Sequence, residues 1–288
     1  MAVRDRISVE ASLAAGAAVR DITPPLEVGL LMSSVEGRWQ PFEDVRKPLL
    51  ARVVALEGCS PAGVAQRVAI VALDLLALSG KAVGGFDEFK TRIAAAANHV
   101  MRPEEIVLAC THSHTAPESG AITDLYRTEA FGVWMERVVS QIGQAIAEAC
   151  SALQPCEFAY GSARAPGLGI HRRFKTTRGI MMSHPEPPAD VLLSRDGAVD
   201  DSVNVATFRD GHGRLIALLV NATCHPVYEM CTPSVSPDYP GELTSMLDES
   251  YQGAVSLFLN GAAGNVNPSS VSSGPAESLR HAAALAKS

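Results

Sequence analysis

Apolar residues run almost unbroken over positions 67–76, with Asp74 interrupting near the end. A strand covered on both faces reads this way. Residues 49–56 and 254–259 are shorter runs of the same kind, and 16–23 is a strand closed by Pro24-Pro25. Two more apolar runs, 106–110 and 215–220, each lead into a histidine-bearing segment. Residues 157–163 predict another strand, and 203–208 with 214–221 predict a hairpin joined by Asp210-Gly211-His212-Gly213. Helical spacing covers 87–100, 125–153 and 240–252. In the longest of these, Phe131, Trp134, Met135, Val138, Ile142 and Ile146 form a core stripe. Residues 165–200 are rich in Pro, Gly and Arg without a period and predict a long surface excursion; 37–41 predict a loop. The alternation gives an α/β class, with mixed β-sheets flanked by helices and the site on loops at strand ends, as one domain over residues 1–288.

The chain is 47% hydrophobic and 19% charged, an ordinary globular balance, and its net charge of -7 excludes the basic patches that nucleic acid or an anionic membrane requires. No apolar stretch nears the ~20 residues of a membrane-spanning helix, so no integral membrane segment is expected. The segment up to residue 19 lacks a basic-then-apolar leader pattern, which predicts a cytoplasmic protein. Cysteines stand at 59, 110, 150, 156, 224 and 231, with no CxxC pair and no tight framework. Cys110 and Cys224 adjoin the two histidine segments. Each is either a thiolate ligand or, as favoured, a small buried side chain at a strand end.

The histidine segments are Thr111-His112-Ser113-His114 and Cys224-His225-Pro226. Reactive side chains gather on loops just past strand ends, and imidazole is the commonest zinc ligand, so a metal site is the first reading. If strand geometry continued, His112 and His114 would leave one face together, one as ligand and the other as second ligand or proton shuttle. Asp238, in Pro237-Asp238-Tyr239-Pro240-Gly241, is a ligand, a base or, as its context favours, a turn aspartate. The glycine-rich stretch at 260–267 offers backbone N–H groups through Gly261 and Gly264 for an oxyanion. Arg172 and Arg173 either clamp a substrate oxygen or are solvated. His99, His184, His212 and His281 read as surface or turn residues.

Five segments in order carry a resemblance. They are Ala18-Val19-Arg20-Asp21-Ile22-Thr23-Pro24, residues 111–117, residues 220–226, Pro237-Asp238-Tyr239-Pro240-Gly241, and Phe258-Leu259-Asn260-Gly261 continuing to Pro268. Together they resemble the neutral/alkaline ceramidase family, in the N-terminal part of its catalytic domain, over nearly the whole chain. The resemblance implies a zinc-dependent amide hydrolase, with His112 and His225 on the metal, His114 beside it and Arg172 near substrate. Where that family has a serine proposed to take part in amide cleavage, this chain has Asn267. The substrate is therefore expected to be a small molecule other than ceramide, in the manner of short bacterial relatives. The family's remaining ligands, a Glu and a Tyr, belong to a later part than this sequence reaches. Asp238, Glu242, His114 or another chain is then needed to complete the shell, and uncovered apolar surface would favour a homo-oligomer. The rival reading is an inert relative that keeps the fold and serves as a binding or scaffold protein.

Overall fold

The computed structural model describes residues 12–31, 39–40, 42–59, 64–184, 186–230 and 232–288. Most of the 37–41 loop, the chain up to residue 11 and Cys231 lie outside them.

Two sheets form the centre. The first holds β1 (Leu13–Asp21), β2 (Leu50–Cys59), β3 (Ala65–Leu73), β4 (Ile106–Cys110) and the short β5 (Gln154–Pro155), in the order β4-β3-β2-β1-β5. The second holds β6 (Glu157–Arg164), β10 (Ser202–Arg209), β11 (Leu215–Ala222) and β12 (Val255–Asn260), in the order β12-β11-β10-β6. Both are mixed: β3–β4 and β11–β12 are parallel, and the other pairs are antiparallel.

Alternation along the strands explains how these layers stack. On β2, Ala51, Val53 and Ala55 face one core, while Val54 faces another. On β11, Leu218, Val220 and Ala222 face one way and Ala217 and Leu219 the other. Successive side chains leave opposite faces, so an apolar residue at nearly every position demands cover on both. The shared seam joins Ala15, Val54 and Ala72 of the first sheet to Phe208, Ala217, Leu219 and Leu257 of the second. The sheets therefore lie face to face, with helices outside each.

Helices α1 (Phe86–Ala96) and α2 (Glu129–Ser151) cover the first sheet. The Thr128 hydroxyl accepts the Phe131 N–H and starts α2. Buried Trp134 donates from Nε1 to the Ile22 carbonyl at 2.8 Å. Gly143 lets the two helices touch, since a Cβ there would stand 2.4 Å from the Ala96 Cβ. Helices α3 (Asp238–Ser250) and α4 (Pro275–Lys287) cover the second sheet. None of the described helices is long and apolar enough to cross a membrane.

Two expectations change. Residues 165–200 are not structureless: β7 (Arg173–Thr176), β8 (Gly179–Met182) and β9 (Leu192–Arg195) form a three-stranded sheet. Every residue of β9 is exposed, so it carries no burial pattern to read. His281 is not a surface residue; it lies buried in α4 against the Tyr228 hydroxyl, 2.9 Å away.

Ion pairs tie the halves together. Arg52, 5% exposed, reaches from β2 to Asp248 of α3 at 2.6 Å. Arg46 grips the fully buried Glu229 with two bonds of 2.6 Å and also reaches Glu242 at 2.9 Å. Replacing Arg46 by Leu strands a buried carboxylate, with an expected loss of about 3 kcal/mol. Urea unfolding midpoints test this. A loss below about 1 kcal/mol would place the pair with ordinary surface bridges.

Candidate metal centre

One parallel strand pair from each sheet ends at the same place. The chain leaving β4 carries His112 and His114, the chain leaving β11 carries His225, and the chain leaving β12 carries the glycine-rich loop. Carboxyl ends of parallel strands are where open α/β sheets place ligands.

His112 does not continue the strand. Its φ is 73°, a left-handed turn, and its N–H donates to the Leu75 carbonyl at 3.0 Å. The turn, rather than strand alternation, brings His114 beside it. His112 Nδ1 lies 2.7 Å from the Leu76 carbonyl, and His225 Nδ1 lies 3.0 Å from the Val266 carbonyl. A carbonyl only accepts, so each Nδ1 carries the hydrogen and each Nε2 offers a lone pair. His114 Nε2 stands 3.3 Å from His112 Nε2, while its buried Nδ1 has no partner. Ring centroids are 4.9 Å apart for His112–His114, 4.8 Å for His112–His225 and 5.7 Å for His114–His225.

Burial holds all three rings neutral. It pulls His114 down to about 3, helped by the two neighbouring rings and the Arg172 charge. It pulls His225 down to about 4, helped by His112 and Arg172. His112 is lowered by burial against the opposing Leu76 bond. The ligand atoms lie within 4.8 Å of one another. Two nitrogens bound tetrahedrally at ~2.05 Å stand about 3.3 Å apart, and His112 and His114 already have that spacing. The donor set thus fits a divalent metal such as zinc.

A cavity of about 410 Å³ opens here, with Leu76, Cys110, His112, His225, Asn260, Gly261 and Gly264 among its walls. Burial drives the Cys110 thiol up to about 12, and raises that of Cys224 as well. Neither sulfur joins the cluster, and among the described cysteines all are free. Arg172 is half-buried, its charge bears on all three rings, and its Nε is buried without an acceptor. Arg173 is instead paired with Asp196 at 3.2 Å. Asn267 has a buried Oδ1 without a donor, and its backbone pairs with Ile170.

Other residues are placed differently from expectation. Asp238 neither joins the cluster nor lines the cavity. Fully buried at φ 55°, it accepts the backbone N–H groups of Glu229 at 2.9 Å and Tyr239 at 2.6 Å. It is the turn aspartate at the start of α3, and burial raises its carboxyl to about 7. Glu242 is held by Arg46 and Lys47 instead. The Gly261 N–H already donates to the Ala222 carbonyl at 2.9 Å, so it cannot also serve an oxyanion. Gly264 stands in the short 3-10 turn Ala263–Asn265 on the cavity wall. Sequence reasoning missed His171, whose buried ring meets the Asn265 amide at 3.0 Å, and Asn260 as an individual. An asparagine closing an apolar strand was the available signal for the latter.

Solved structures share this fold. The neutral ceramidase from Pseudomonas aeruginosa matches with a TM-score of 0.73 and 20% identity, over 97% of this chain and 44% of that one. A ceramidase complexed with C2 matches with a TM-score of 0.71 and 20% identity, over 96% of this chain and 43% of that one. The fold is ceramidase-like. The chain spans under half the length of the ceramidase structures it matches. No protein-family model matches the chain, and no curated protein sequence matches it either.

The histidines of this centre set a pH dependence. Each ring's folded value lies below the ~6.5 of an unfolded histidine, so the unfolded chain takes up protons first as pH falls. The metal-free protein therefore loses up to about 1.4 kcal/mol per pH unit for each of His114 and His225 between about 6.5 and 4, and His112 acts in the same direction. Asp74 and Asp238, raised to about 6 and about 7 by burial, run the opposite way. The comparison with His114→Asn isolates one ring. Denaturant midpoints measured stepwise in pH should fall less steeply in the variant, and parallel curves would overturn the assignment.

Proposed function

We propose that the protein is a metal-dependent hydrolase of an amide bond, ester substrates being the lesser option. The observation that carries this is the convergence of three neutral imidazoles, from two sheets, in one cluster, with His112 and His225 on the cavity wall. The likeness to ceramidases, enzymes that cleave an amide, supports the reaction class. His112 and His225 hold the metal by Nε2. His114 completes the set, since Asp238 and Glu242 are engaged elsewhere and catalytic zinc usually has three protein ligands.

When bound, zinc supplies Lewis-acid polarisation of a carbonyl and brings water towards a pKa of about 7. The protein does the rest. Arg172 donates from its unpartnered Nε to the oxygen on which negative charge develops. Asn267 Oδ1, a buried acceptor next to the Val266 carbonyl that holds His225, is the group offered to the substrate N–H. An amide needs one donor and one acceptor at its two ends, and these buried orphan atoms supply one of each. Asn267 lacks a hydroxyl, so a small amide other than ceramide is the proposed substrate. With His114 on the metal, its expected shuttle role passes to solvent in the cavity.

Elemental analysis of the parent beside His112→Ala and His225→Ala tests the site: the parent should carry one equivalent of metal and the variants little. Equal contents in all three would sink the proposal. On a panel of N-acyl substrates, Arg172→Ala should lose about 100-fold or more in kcat. A chelator-insensitive melting curve with no hydrolysis of amide or ester panels would favour the inert binding protein instead.

A further inference from the structure

The loops bearing His112 and His225 leave different sheets, and one side chain joins them. Asn260 ends β12, and its Nδ2 donates to the Thr111 carbonyl at 3.0 Å and to the Cys224 carbonyl at 3.1 Å. Thr111 immediately precedes His112, and Cys224 immediately precedes His225. An amide nitrogen has two hydrogens, and here each is committed to one loop. The orientation has a chemical cause: turning the amide over would set its oxygen against two carbonyl oxygens. The consequence is that Oδ1 is buried without a donor. A group retained at that cost acts through its nitrogen. A direct backbone bond between the loops, from the His114 N–H to the Pro226 carbonyl, is long at 3.4 Å. The next residue leaves no slack, because a Cβ on Gly261 would stand 2.1 Å from the Thr223 hydroxyl.

We propose that Asn260 is a positioning residue that sets the separation of His112 and His225, and through it the affinity of the site for a divalent cation. This rests on the reading that those rings share a cation. Asn260 would act on metal affinity rather than on the fold at large. Asn221 provides the contrast: its Nδ2 donates to the Leu259 carbonyl at 2.9 Å, tying β11 to β12 without engaging either histidine loop.

Asn260→Asp keeps the shape, removes both donors and opposes oxygen to oxygen; Asn260→Ser keeps one short donor and covers failure of the first variant to fold. Cobalt(II) titrated into metal-stripped protein reads affinity by absorption, and zinc reads it by competition. Both Asn260 variants should bind 10- to 100-fold more weakly, while Asn221→Ala melts earlier but keeps cobalt affinity within about threefold. In the metal-free state, NMR contacts between the rings of His112 and His225 should weaken in Asn260→Asp or, failing that, in Asn260→Ser. Parent-like affinity in a folded Asn260 variant overturns the proposal, and so does an equal loss in Asn221→Ala. A parent that binds no cobalt defeats the metal reading itself. The ring contacts then decide the positioning claim alone, and their retention in the Asn260 variant overturns it.

Discussion

The seam between the two sheets is the constraint on which everything else depends. Val54 and Ala72 on one side meet Ala217, Leu219 and Leu257 on the other, all nearly free of solvent. Close-packed apolar faces do not slide without opening voids, so the seam fixes how the strands of one sheet end relative to those of the other. The histidine cluster is a by-product of that alignment. His112 and His114 follow from β4, and His225 follows from β11; neither sheet makes the site alone. Arg52, crossing from β2 to Asp248 and to the Ser256 carbonyl of β12, adds directional ties to this hydrophobic seam.

Beyond the seam and the Asn260 bridge, the histidine rings themselves are held by backbone. The Nδ1 atoms of His112 and His225 each meet a main-chain carbonyl, Leu76 and Val266. The Val266 carbonyl also receives the His225 N–H at 3.0 Å, and the neighbouring Asn265 carbonyl receives the Arg172 N–H at 2.8 Å. The segment after β12 therefore supports both the His225 ring and Arg172. Rings fixed in tautomer and direction before a metal arrives need little rearrangement to bind it.

Much of this was legible in the chain. The apolar runs at 67–76, 106–110 and 215–220 marked real strands, and the histidines after two of them do converge. The way they converge was not legible: a left-handed His112 is a tertiary result, and strand alternation was the wrong route to the right pair. Asp238 showed a glycine-proline context that suited a turn, and a turn is where it serves. The small sheet of β7, β8 and β9 was hidden because β8 and β9 are largely exposed, and the alternation of β7 spans four residues with Phe174 as its one apolar inward member. His281 was misplaced because α4 is short and alanine-rich. Its inward positions, Ser278, His281, Ala282 and Leu285, keep helical spacing with two polar members. Asn260 escaped because a bond to two distant carbonyls leaves no trace in local pattern.

The left-handed backbone at His112 has a consequence for how this site can vary. Glycine adopts such a φ freely, asparagine and aspartate tolerate it, and β-branched residues resist it. Were the imidazole not needed, the backbone alone would favour those small residues here. Valine or isoleucine would strain the loop itself. The position is constrained twice, by the chemistry of its ring and by the shape of its main chain, and only the first constraint disappears when the chemistry does.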